Sequence, residues 1–141
     1  MALDVGEKTV GVAMTDELGL IASPRETLRR DGRELDRLVE IVEREAVGEA
    51  VVGLPISLNG THGPSAERAL QFAALLRERV SISVVTWDER LTTAEAEKML
   101  IAADTRRSKR RQVVDQIAAT LILQNYLRSR SLSRDADLDD D

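Results

Sequence analysis

Apolar and polar positions alternate in short runs over the first part of the chain, and the period then lengthens. Leu3 and Val5 flank Asp4, and a second apolar run, Val10 to Met14, follows the turn-forming Gly6-Glu7-Lys8. This pattern predicts two strands joined as a hairpin. A third strand is expected within Gly19 to Leu28, with Pro24 marking an edge position or a break. Asp31 and Glu34 have the spacing of a capping box. Leu35, Leu38, Val39 and Val42 continue from it at helical spacing.

The second part of the chain reads as alternating strands and helices. The short apolar run Ala50 to Leu54 suits a buried strand. After the loop 55–63, Pro64 suits the first position of a helix whose apolar face is Ala66, Ala69, Leu70, Ala73 and Leu76. Ser83 to Trp87 reads as another strand. Thr92 and Glu95 cap a helix ending near Ala103, and a last helix runs from about Gln112 to Ser129. An antiparallel meander followed by αβ units gives an α/β fold with a mixed sheet covered by helices.

Composition narrows the chemistry. The 141 residues suffice for one domain but not for two lobes around a cleft. With 43% hydrophobic and 32% charged residues the chain is expected to fold as a globular protein. Phe72, Trp87 and Tyr126 are its only aromatic residues, too few for a reader that stacks bases on rings. The absence of cysteine excludes disulfides, thiolate metal sites and a cysteine nucleophile, and a single histidine excludes a multi-histidine site. With no apolar run near the ~18 residues of a membrane span and no signal peptide, a cytoplasmic protein without a membrane partner is expected. The net charge is −5, yet residues 135–141 hold five aspartates, and the rest of the chain is neutral. Within that neutral body lies a basic cluster, Arg106, Arg107, Lys109, Arg110 and Arg111, able to meet a polyanion locally. Its plain alternative is a solvated loop. Residues 131–141 are expected to be a disordered acidic tail after a domain of residues 1–130.

Three acidic sites, holding four acids, stand out. Asp4 interrupts an apolar strand, where a carboxylate is costly unless it is paired or binds a cation. A hydrogen-bonded acid capping the hairpin turn is the alternative. Asp88 and Glu89 end a predicted strand, the place where α/β sheets keep their sites, although solvated loop acids paired with Arg90 would look the same. Asp115 opens the last helix on the side carrying Ala118, Ala119, Ile122 and Tyr126, which faces the sheet. An acid complementing the helix dipole needs no such face. If these groups converge, carboxylates without sulfur and with little imidazole make a hard oxygen site for Mg²⁺ or Mn²⁺, the ions of phosphodiester hydrolysis. Gly60, Thr61 and His62 precede a helix and could offer backbone amides to an anion. Lys8 could reach a phosphate from the hairpin turn or be a solvated turn residue, and His62 could be a plain loop residue or serve proton transfer or a metal-edge contact.

Taken together, these segments resemble the YqgF family, also called RuvX. Ala2-Leu3-Asp4-Val5-Gly6-Glu7-Lys8-Thr9-Val10-Gly11-Val12-Ala13 looks like its opening motif. Val51-Val52-Gly53-Leu54-Pro55 with Asn59-Gly60-Thr61 and Gly63 is similar to its second motif, and Asp88-Glu89-Arg90-Leu91-Thr92-Thr93 to its third. Val114-Asp115 with Ala118-Ala119 and Ile122-Leu123-Gln124 is similar to its last. One departure is Thr9, where the family commonly has Arg. The resemblance implies an RNase H-like fold with a five-stranded mixed sheet, and a metal-dependent nuclease with Asp4, Glu89 and Asp115 as catalytic acids. Asp4 would bridge the metals and Asp88 would be a reserve ligand. Lys8, Gly60, Thr61, His62, Arg90 and the basic cluster would meet nucleic acid.

The resemblance favours an RNA substrate and a part in maturing the 5′ end of pre-16S rRNA, with a pre-ribosomal particle as partner and a monomer or homodimer as the working form. Three rivals stay open: a Holliday-junction DNA resolvase, a non-catalytic RNA-binding assembly factor, and an actin-like nucleotide-binding module, which would need a second lobe.

Overall fold

The computed structural model describes residues 1–57, 59–89 and 116–130. Strands β1 (Ala2–Val5), β2 (Thr9–Thr15), β3 (Ala22–Arg29), β4 (Glu49–Leu54) and β5 (Ser83–Asp88) form one sheet in the order β3-β2-β1-β4-β5. β1–β2 and β2–β3 are antiparallel, while β1–β4 and β4–β5 are parallel. The expected mixed sheet is therefore present, with a meander on one side and αβ units on the other. Pro24 lies on the edge strand β3, where its missing N–H breaks no inner ladder, and the register shifts beside it between Val12 and Ala13.

Helices α1 (Glu34–Arg44) and α2 (Pro64–Arg79) cover one face, and residues 116–130 form a helix, α3, on the other. Alternation within the strands sorts their side chains between these layers. Leu3, Val5, Val10, Val52 and Leu54 meet Leu38, Ile41, Phe72 and Leu76. Ala2, Ala13 and Val51 meet Ala119, Ile122 and Leu123. The predicted last helix is helical over its described part, with Ala119, Ile122 and Tyr126 inward as expected. The helix predicted over 92–103 and the tail 131–141 lie outside the described residues.

Two expectations are corrected. Asp31 is not the cap of α1: Arg33 holds that position, and the Arg33 N–H donates to Asp31 Oδ1 in a turn of its own (3.0 Å). Gly32, at φ +92°, swings the chain between them, and its N–H donates to Glu34 Oε2 (2.8 Å), so the reciprocal pattern is displaced outside the helix. On α2, Leu70 is 36% exposed and Phe72 takes the inward place, only 1% exposed. Both residues border the stripe 66, 69, 73 and 76, and the position of the sheet selects the side with Phe72.

Phe72→Ala should therefore cost ~3–5 kcal/mol of unfolding free energy, against less than ~1 kcal/mol for Leu70→Ala. Urea denaturation measures both. Equal losses would contradict this placement of α2.

Candidate functional site

The register draws one line across the sheet. Asp4 pairs with Gly11, and Gly11 with Thr27. In the other direction, Leu3 is level with Val52, so Asp4 continues in step with Gly53, which pairs with Trp87. The order Thr27, Gly11, Asp4, Gly53, Trp87 is thus a single row. Asp4 and Gly53 lie on the α3 side, in alternation with Ala2 and Val51. β1, β4 and β5 are parallel, so their C-terminal ends share an edge, and Asp88 and Glu89 arrive there from β5.

Glu89 shows what this edge does to a carboxyl. Burial, and then the nearby charges of Asp4 and Asp88, push it up to about 7. All three causes disfavour the anion, because desolvation penalises charge and like charges repel. An acid held near neutrality at a strand end marks a candidate site for proton transfer or cation binding. No three His, Asp or Glu side chains among the described residues are grouped to hold a metal ion by themselves. Asp115, the fourth acid of the expectation, lies outside those residues. Its neighbour Gln116 is described, and Gln116 Nε2 donates to Thr27 Oγ1 (3.3 Å). The start of the described part of α3 is therefore tied to the Asp4 row.

The turn after Asp4 is held from a distance. Gly6 N–H donates to Thr9 O (2.8 Å), and Arg30 N–H donates to Lys8 O (2.9 Å). Arg30 Nη1 also donates to Gly6 O (3.0 Å), while the guanidinium lies 5.5 Å from the Phe72 ring centroid. Arg30 carries no local signal in the sequence, because 24 residues separate it from Gly6. Lys8 is exposed on the same turn.

The loop before α2 lies at the same end of the sheet, since it leaves the C-terminal end of β4. Its backbone is partly committed to itself. Gly60 N–H donates to Ser57 O (2.8 Å), and Thr61 N–H donates to Asn59 Oδ1 (3.1 Å), with the Thr61 hydroxyl on the same oxygen. The amides of Gly60 and Thr61 are thus spent within the loop, whereas the expectation had them facing an anion. His62 is exposed. Arg90, Arg106, Arg107, Lys109, Arg110 and Arg111 lie outside the described residues.

The comparisons with known proteins agree with this layout. The chain matches the family described as "RuvX: Holliday junction resolvase" over residues 1–129. It is 50% identical over 136 residues to a Desulforudis audaxviator protein named "Putative pre-16S rRNA nuclease", covering 95% of this chain and 96% of that one. A Geobacillus kaustophilus protein of the same name is 52% identical over 134 residues, covering 92% and 97%. Among solved structures, Thermus thermophilus RuvC in complex with a Holliday junction substrate superposes with a TM-score of 0.56 at 16% identity. The match covers 90% of this chain and 92% of that one, and establishes a shared RNase H-like fold.

The Glu89 carboxyl has a signature in solution. Its ordinary value of 4.5 rises to about 7 on folding, so the folded protein keeps a proton that the unfolded chain loses between those values. Stability contributed by that proton is present below about pH 4.5 and falls as pH rises to about 7. In metal-free buffer the expected loss from this group is ~1–2 kcal/mol, because solvent screens the partly exposed carboxyl. Glu89→Gln should flatten the profile and exceed the parent in stability at about pH 8. Chemical denaturation across this range measures both proteins, and identical profiles would contradict the charge strain assigned to Glu89.

Proposed function

The chain belongs to the RuvX family of nucleases, and from that membership we propose that it is a divalent-metal-dependent hydrolase that cuts phosphodiester bonds in pre-16S rRNA at its 5′ end. The observation that carries the reading is the raised Glu89 carboxyl, crowded by Asp4 and Asp88 at the shared end of the parallel strands. Relatives at about 50% identity named as pre-16S rRNA nucleases support RNA as substrate. The cytoplasm and the pre-ribosomal particle are its proposed setting, and among the described residues no helix is long and apolar enough to cross a membrane.

The donor set fits Mg²⁺ or Mn²⁺. Asp4, Glu89 and Asp115 would hold it, with Asp88 in reserve, and carboxylate oxygens are the donors hard cations prefer. Asp115 is covalently next to Gln116, which reaches the Asp4 row through Thr27. Without a cation, burial and then the neighbouring carboxylates favour the protonated form of Glu89. A divalent ion would favour its ionised form. When bound, such ions activate water and neutralise charge on the phosphate. The remaining work falls to the chain. Arg30 fixes the turn that follows Asp4, and Lys8, exposed on that turn, would meet a phosphate. The basic cluster 106–111 precedes Asp115 in sequence. It would hold the flanking backbone without reading bases.

Asp4→Asn should lower cleavage of a labelled pre-16S rRNA fragment by about two orders of magnitude or more while the protein stays folded. EDTA should abolish parental cleavage and Mn²⁺ should restore it. Full activity in a folded Asp4→Asn protein would end the metal-nuclease reading. A four-way DNA junction assayed in parallel separates the competing resolvase function, to which the family's description points. Preferential junction cleavage would replace RNA as the substrate.

Replacing Arg107, Lys109 and Arg110 with Ser should weaken binding about equally across sequences. It should also reduce the log-log salt slope by roughly 0.7 for each lost contact to a single strand. An unchanged slope would put the nucleic-acid path elsewhere.

A further inference from the structure

Gly53 is in an unusual place for glycine. It lies in β4, which is flanked on both sides by β1 and β5, where glycine weakens a strand and supplies no packing. Its backbone does not need a glycine, because its φ is outside the left-handed region occupied by Gly19, Gly32 and Gly60. What distinguishes the position is the space above it. A Cβ added at Gly53 would lie 2.5 Å from Ile122 Cδ1 and 3.3 Å from Ile122 Cγ1, on the α3 side. It would also lie 3.3 Å from the carboxyl carbon of Glu89. Two side chains from different elements therefore share the volume of one missing methyl group.

The Ile122 contact alone would make Gly53 a packing residue for α3. The Glu89 contact adds something else. Gly53 occupies the row between Asp4 and Trp87. A carboxyl seated on Gly53 is folded back from the end of β5 towards Asp4, instead of extending into solvent. We propose that Gly53 is a positioning residue whose missing Cβ provides the seat that holds the Glu89 carboxyl in the Asp4 row, under the cover of Ile122. The inference deepens the nuclease reading and rests on Glu89 being one of its acids. A methyl group at this position would shift the carboxyl by a few tenths of an ångström, and would force Ile122 or the helix above it to move.

The two consequences separate because Ile122 can be shortened. Ile122→Val removes Cδ1, the atom in closest conflict, and leaves the Glu89 contact as it was. Gly53→Ala alone should lower the melting temperature, and the Gly53→Ala, Ile122→Val double variant should regain most of that loss. In a crystal structure of the double variant the Glu89 carboxyl should be displaced from its parental place. Its kcat on the RNA substrate should remain ~3–10-fold below that of Ile122→Val alone, with KM within about twofold, as expected for a slightly misplaced group at the reacting centre. If Gly53→Ala alone does not fold, the double variant carries the comparison by itself. A Glu89 carboxyl in its parental place in that crystal would overturn the proposal. So would a kcat restored to the Ile122→Val level with Glu89→Gln inactive. If Glu89→Gln cleaves at the parental rate, the nuclease role of Glu89 falls instead, and the position of the carboxyl in the crystal still decides the role of Gly53.

Discussion

Like-charged carboxylates gathered at the common end of parallel strands are the constraint on which the rest of this structure depends. β1, β4 and β5 point the same way, so whatever follows their last residues meets at one edge. Here Asp4 meets the pair Asp88 and Glu89, and the burial of Glu89, then the charges of Asp4 and Asp88, raise its carboxyl. Such an arrangement works against stability. Water would be a better environment for the ionised Glu89 carboxylate, and an apolar residue of similar size would pack there without strain. Its persistence in a small sheet is understandable if a cation and a polyanionic substrate complete it.

The two faces of the sheet serve different ends. The face under α1 and α2 carries the bulk of the core, with Leu3, Val10, Leu38, Phe72 and Leu76 filling it. The face under α3 carries the small residues Ala2, Ala13 and Ala22, with Gly53 in line, and Ala119 of α3 packs against it. Small side chains let a helix approach closely. α3 uses that closeness to bring Ile122 down on Gly53 and Gln116 to Thr27. At the far end Tyr126 bonds Glu49, and Arg130 pairs with the same carboxylate (3.0 Å). The helix is therefore tied at both ends of its described length. One face supplies stability, and the other sets the placement of the acids.

Much of this could be read in the sequence because it depends on local period. The hairpin turn at Gly6, the edge proline at Pro24 and the proline opening α2 each have a one-residue cause, and the structure contains each. Asp4 was conspicuous because an acid in an apolar strand requires an explanation. What the sequence could not decide depends on partners far along the chain. Leu70 and Phe72 flank the same helical stripe symmetrically, and only the sheet selects between them. Asp31 and Glu34 have capping-box spacing, but Gly32 turns the chain before the helix begins. The amides of Gly60 and Thr61 looked available until Ser57 and Asn59 claimed them. Arg30 and Gly53 act through contacts with residues more than twenty positions away, so neither shows as a local pattern.

The central claim is that the acids at the strand ends form a divalent-cation site. Its most direct measurement is a titration of Mn²⁺ into the metal-free protein, followed by the electron paramagnetic resonance of free Mn²⁺. The parent should remove Mn²⁺ from the free pool at a saturable site, and Asp4→Asn should bind it at least about tenfold more weakly. Equal Mn²⁺ affinity in parent and Asp4→Asn would contradict the account.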